Sequence, residues 1–129
     1  MYPPNLPLSS SYVSRKHSDS QISHRTLGEL YLCAFEIIVQ EAQPWAIMSS
    51  YNIINGCRAS ESTELLTDIL RNDWGYTGLV MTNCWNRTEH YKEVLAGKNL
   101  KMASGYPERV RAVMELGLVT HGDLDRRGL

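Results

Sequence analysis

Three short apolar runs, AIMSSY (46–51), GLVMTN (78–83) and NLKM (99–102), alternate with segments whose apolar residues recur at helical spacing. This alternation of period constrains the fold more than any other feature, because strands separated by amphipathic helices pair in parallel and need helices over them. Ser23 stands ahead of Leu27, Leu30, Tyr31, Ala34, Phe35, Ile38 and Val39, which predicts an N-capped helix over 23–41. Leu65, Leu66, Ile69 and Leu70 share one side of a second helix over 62–71, which Trp74-Gly75-Tyr76 ends. A third helix is expected over 88–95 with Gly97 as its terminator. Pro107 suits the first turn of a fourth helix over 107–116, and Asp123 opens a last helical turn. Asn55-Gly56 is a strong turn pair. The fold class is therefore α/β with a parallel three-stranded sheet, and 1–22, rich in Ser and Pro and without periodicity, is expected to be an irregular arm with no core element.

Composition removes several functions. Thirteen Lys and Arg against fourteen Asp and Glu leave a net charge of -1, which supplies no field for a phosphate backbone or anionic lipid, so neither nucleic acid nor membrane is an expected partner. Cys33, Cys57 and Cys84 form no CxxC pair, and the four histidines, His17, His24, His90 and His121, are scattered without carboxylates at ligand spacing. No metal or cofactor is expected, and the histidines are read as solvated surface. The first twenty residues lack a basic segment followed by an apolar one, so no signal peptide is expected and a cytoplasmic location is the default.

Four segments in order, HRTLGELYLCAFE, AIMSSYNIINGCRAS, LLTDILRNDWGYTGLVMTNCW and AGKNLKM, resemble the (β/α)8 domain of glycoside hydrolase family 3, the β-glucosidase type. The likeness runs over 24–129, with RVRAVMELGLVTHGDLDRRGL similar to the family's closing helices. It implies that AIMSSY, GLVMTN and NLKM are the sixth, seventh and eighth strands of a partial TIM barrel, so that 23–129 is the C-terminal part of the domain and its first half is missing. Three strands out of eight would leave sheet edges and one sheet face uncovered, which invites association.

Retaining glycosidases place two groups about 5 Å apart, a carboxylate that attacks the anomeric carbon and an acid that protonates the leaving oxygen. The resemblance implies that the attacking aspartate belongs at Asn83, in TNCW. An amide carries no charge to balance an oxocarbenium ion and forms no glycosyl ester, so the chain is expected to be inactive as it stands. The acid/base residue is not expected within this chain. Met48, Tyr51 and Trp85 are expected to line the sugar subsite, core packing being the alternative for Met48 and Tyr51. Cys84 replaces a tryptophan and is read as a buried, inert thiol; Lys98, Asn99 and Ala103 replace polar, acidic and proline positions. Trp74 and Tyr76 are read as packing residues at the opposite end of the strands. The expected function is thus that of a β-glucosidase-like fragment with a carbohydrate substrate; the alternative is a non-enzymatic remnant serving as an interaction module.

Overall fold

The computed structural model describes residues 17–84, 86, 88–103 and 105–125. Its elements are β1 (Asp19–Ser20), helix α1, β2 (Ala46–Ser49), β3 (Ile53–Ile54), β4 (Cys57–Arg58), α2 (Glu64–Asp73), β5 (Leu79–Thr82), α3 (His90–Ala96), α4 (Pro107–Glu115) and α5 (His121–Asp125). Helix α1 begins at His24–Thr26, widens into π turns over Leu27–Leu32 and tightens again over Cys33–Ala42. Ser23 caps it as expected, its Oγ accepting from Thr26 N at 3.1 Å. Two further signals act where the sequence sets them, whereas Asp123 lies inside α5, which starts at His121. Gly97 ends α3 in the left-handed region with φ 110, and Pro107 opens α4.

Strands β2 and β5 pair in parallel along their whole length, Ala46 opposite Leu79 and Ser49 opposite Thr82. Their alternate residues Ile47 and Val80 are buried against the helices. With Leu32, Phe35 and Val39 of α1 and Leu65, Leu66 and Leu70 of α2, they make the core. Each such aliphatic side chain contributes about 1.5–3 kcal/mol when fully withdrawn from water. The other face is different. Met48 and Met81 are half-buried, while Leu79 and Leu100 are exposed, so this face carries apolar side chains without a layer over them among the described residues.

Two expectations need correction. The run 100–102 is not a third full strand: only Leu100 bridges to Met81. The ladder stops because the next donor is diverted, Met102 N bonding the Thr82 hydroxyl at 2.8 Å instead of a main-chain carbonyl. Nor is the end of the expected arm irregular. Asp19–Ser20 runs parallel to Ile53–Ile54, and Asn55 fixes the join with Oδ1 accepting from Ile22 N and Nδ2 donating to Ile22 O, both at 2.8 Å. The Asn55-Gly56 turn, with φ of 50 and 81, closes a small antiparallel hairpin between β3 and β4. These ties involve polar side chains across 33 residues, a distance at which hydrophobic periodicity carries no signal.

Candidate active site

The carboxyl ends of β2 and β5 lie side by side, the place where parallel sheets collect their chemistry. Ser49, which ends β2, donates its hydroxyl to Met81 O at 3.3 Å. Thr82, which ends β5, donates its N–H to Leu100 O at 2.9 Å. Asn83 follows at once and is half-buried, while Met48 lies opposite Met81, two residues before it. Tyr51, at the end of the β2 run, is only 8% exposed. Hence the structure places Met48 and Asn83 on neighbouring strand ends and gives Tyr51 a buried position beyond β2. Trp85 lies outside the described residues.

The segment after Asn83 is anchored at two points. Asn86 Nδ2 donates to Ser60 Oγ at 2.7 Å, and Glu89 N donates to Glu61 Oε1 at 2.8 Å. Three buried polar atoms in these loops, Ser50 Oγ, Asn52 Nδ2 and Asn86 Oδ1, have no hydrogen-bond partner among the described residues. Buried polar atoms are rarely left unpaired, and a hydroxyl, an amide donor and a carbonyl acceptor together match the hydrogen-bonding groups of a polyhydroxylated ligand. Sequence reasoning did not single out Ser50 or Asn86. Pattern alone gives no means to tell a polar residue satisfied by its neighbours from one held open.

Cys84 is exposed, which corrects the expected burial: as part of the turn after β5 it projects away from the packed layer. Cys33 and Cys57 are likewise exposed and free, and burial, then Glu61, pushes the Cys57 thiol up from its ordinary pKa. Trp74 and Tyr76 do pack, as the sequence implies. Trp74 lies against the core, and Tyr76 is 2% exposed with its hydroxyl donating to Leu79 O at 3.1 Å. His17, His24 and His121 are exposed, but His90 is half-buried and its pKa is lowered, chiefly by burial and then by Lys101. A histidine opening a short helix beneath a loop gives no periodic sign of that burial.

The least legible feature is ionic. Glu93, 2% exposed, receives Lys98 Nζ at 3.4 Å and Lys101 Nζ at 2.8 Å, and the Thr88 hydroxyl as well. Lys98 is itself 3% exposed, and withdrawal from water lowers its pKa from 10.5 to about 8 against the opposing pull of Glu93. The network joins the segment after β5 to the segment after Leu100. A pocket of about 230 Å³ adjoins it, lined by Thr82, His90, Glu93, Lys98 and Lys101 among others. A larger and more apolar cleft of about 860 Å³ lies between α3, α4 and α5, but Met48, Tyr51 and Asn83 do not line it. Size therefore does not select the site; the strand ends do.

The model of the glycosyl hydrolase family 3 N terminal domain matches residues 11–117. Beta-glucosidase A of Butyrivibrio fibrisolvens is 46% identical over 125 residues, covering 97% of this chain and 15% of that protein. Exo-alpha-(1->6)-L-arabinopyranosidase of Bifidobacterium longum is 45% identical over 116 residues, 88% of this chain and 15% of that protein. The crystal structure of a Bifidobacterium adolescentis GH3 beta-glucosidase superposes with a TM-score of 0.83 at 40% identity, over 88% of this chain and 17% of that one. The chain thus spans about a sixth of the length of the relatives it matches. With the family's model covering most of its length and a solved relative sharing its fold, the chain belongs to glycoside hydrolase family 3.

Proposed function

We propose that this chain carries the sixth, seventh and eighth strand regions of a family 3 barrel, with Asn83 in the nucleophile position of a site for β-glucosides. Strands β2 and β5 with the Leu100 bridge run parallel in that order, and their apolar face of Met48, Leu79, Met81 and Leu100, over which no layer lies among the described residues, is the face that the remaining strands would enclose. Met48, Tyr51 and Trp85 then flank a sugar, and the open Ser50, Asn52 and Asn86 groups offer it hydrogen bonds.

The observation that carries the reading is Asn83, the residue directly after β5 in a TNCW context. Its amide cannot form the glycosyl ester of a double displacement, so hydrolysis stops before its first covalent step. The activity is glycosidic by descent and absent in this chain. The test is release of an aryl alcohol from an aryl β-glucoside by the unaltered chain, by Asn83→Asp, and by each of these mixed with a polypeptide supplying the other barrel strands. Turnover only with both the aspartate and the added strands is the expected result, and turnover by the unaltered chain alone overturns it.

A second reading rests on the exposed face itself. A sheet face without cover among the described residues, with Leu79 36% and Leu100 44% exposed, favours an interaction module that associates through this surface. Sedimentation of the chain at increasing concentration tests self-association through this face, and a chain that stays monomeric rules out a module that pairs with its own copy.

A further inference from the structure

The pocket beside Glu93 sits where the glycosidic chemistry is not. Thr82 points toward the helix layer, fully buried, whereas Asn83 follows on the alternate side of the chain. The lysines come from the segment after α3, and His90 begins α3, so the pocket lies behind the sheet at the carboxyl ends of β5 and the Leu100 segment. The groups that line it come from α3 and from both sides of the Leu100 segment, Lys98 before it and Lys101 after it.

Charge and donor supply agree with the location. Lys98 and Lys101 pair with Glu93, Glu61 also acts on Lys98, and Arg109 acts on His90, so three cations stand against two carboxylates around the pocket. Lys98, Lys101 and Glu93 are withdrawn from solvent, with side-chain exposures of 3%, 12% and 2%. Low surrounding polarisability strengthens the field of the surplus charge. Each ammonium has three N–H donors, more than its contact with Glu93 occupies, and the Glu93 oxygens hold both lysines in place in advance. His90, kept largely neutral by burial and by Lys101, adds a lining that does not repel an anion. The space of about 230 Å³ admits a phosphoryl group with part of its carrier.

We propose that Lys98 and Lys101, arranged by Glu93, form a phosphoryl-binding site in this pocket. The site is independent of Asn83 and of the sugar subsite, and it takes either free inorganic phosphate or the phosphate monoester of a sugar.

The experiment titrates the full chain with inorganic phosphate, and separately with a hexose 6-phosphate, following phosphorus resonances and the thermal transition. Saturable binding of at least one is expected. A monoester preferred over phosphate identifies a phosphorylated sugar as the occupant, and equal or better binding of phosphate identifies the free anion. Lys101→Gln, at the more exposed of the two lysines, weakens binding at least about tenfold through loss of a charge-assisted hydrogen bond. Glu93→Gln, which takes away the carboxylate that arranges the two lysines, weakens it as well, whereas Lys101→Arg, which keeps the charge, retains it. Binding is read without turnover, which keeps this result separate from the glycosidase assay. No saturable binding by the unaltered chain, or the same affinity in a folded Lys101→Gln chain, overturns the proposal; if Lys101→Gln does not fold, unchanged binding in Glu93→Gln does so.

Discussion

The Arg71 guanidinium and the Val80 N–H donate to one and the same atom, Asn99 Oδ1, at 2.8 and 2.9 Å. Arg71 also reaches Tyr76 O and Gly78 O, both at 3.3 Å, and Gly97 O at 3.2 Å. One side chain from α2 therefore ties the entry to β5 and the exit of α3 to the Asn99 position. Asn99 is not a loosened remnant of an acidic residue. It keeps the acceptor that Arg71 requires.

Because both donors use Oδ1, a carboxylate at this position retains them and adds an ion pair. Asn99→Asp is expected to raise stability by about 0.5–1 kcal/mol, the low end of what a charge-assisted bond supplies. Asn99→Leu leaves a half-buried guanidinium and the Val80 N–H without this acceptor and costs about 1–3 kcal/mol. Urea unfolding of the two variants beside the parent checks both signs.

A methyl group on Gly78 would meet the Tyr76 hydroxyl and would stand 2.8 Å from Pro44 O. The tyrosine is buried and hydrogen-bonded to Leu79 O, and the carbonyl is backbone, so neither can move aside cheaply. Gly78→Ala should cost about 1–3 kcal/mol. A companion Tyr76→Phe change removes part of the clash, and in a double-mutant cycle the two should be less than additive.

Gln43 ends α1 in the left-handed region, with φ 42, and donates its N–H to Val39 O at 3.1 Å. Glycine reaches this conformation without the Cβ clash. Gln43→Gly should stabilise by about 0.5–1 kcal/mol, read as a higher melting temperature, and a loss of stability would contradict the capping argument.

The buried lysine sets a pH dependence. With the Lys98 pKa lowered from 10.5 in the unfolded chain to about 8 in the folded one, the unfolded chain binds the extra proton between these values. Stability contributed by Lys98 therefore rises as pH climbs from about 8 toward 10.5 and is at its lowest below 8. The stability of the parent relative to Lys98→Met should grow over that window in denaturant titrations. Groups common to both chains, such as Cys57 and Tyr76, cancel in the difference.

The sequence by itself determined the local events and the family. Ser23, Gly97 and Pro107 act through their own backbone neighbours, and Ile47, Val80 and Leu66 announce their burial through periodicity, so both are legible along the chain. The ordered motifs also sufficed for membership of glycoside hydrolase family 3. Tertiary structure alone decided three matters: the Leu100 segment shrinks to a single bridge, Cys84 turns outward, and Glu93 gathers Lys98 and Lys101 out of water. Each depends on which polar groups meet across distant segments. A charged or polar residue reads as solvated in sequence, and only the folded chain shows whether a partner has replaced its water.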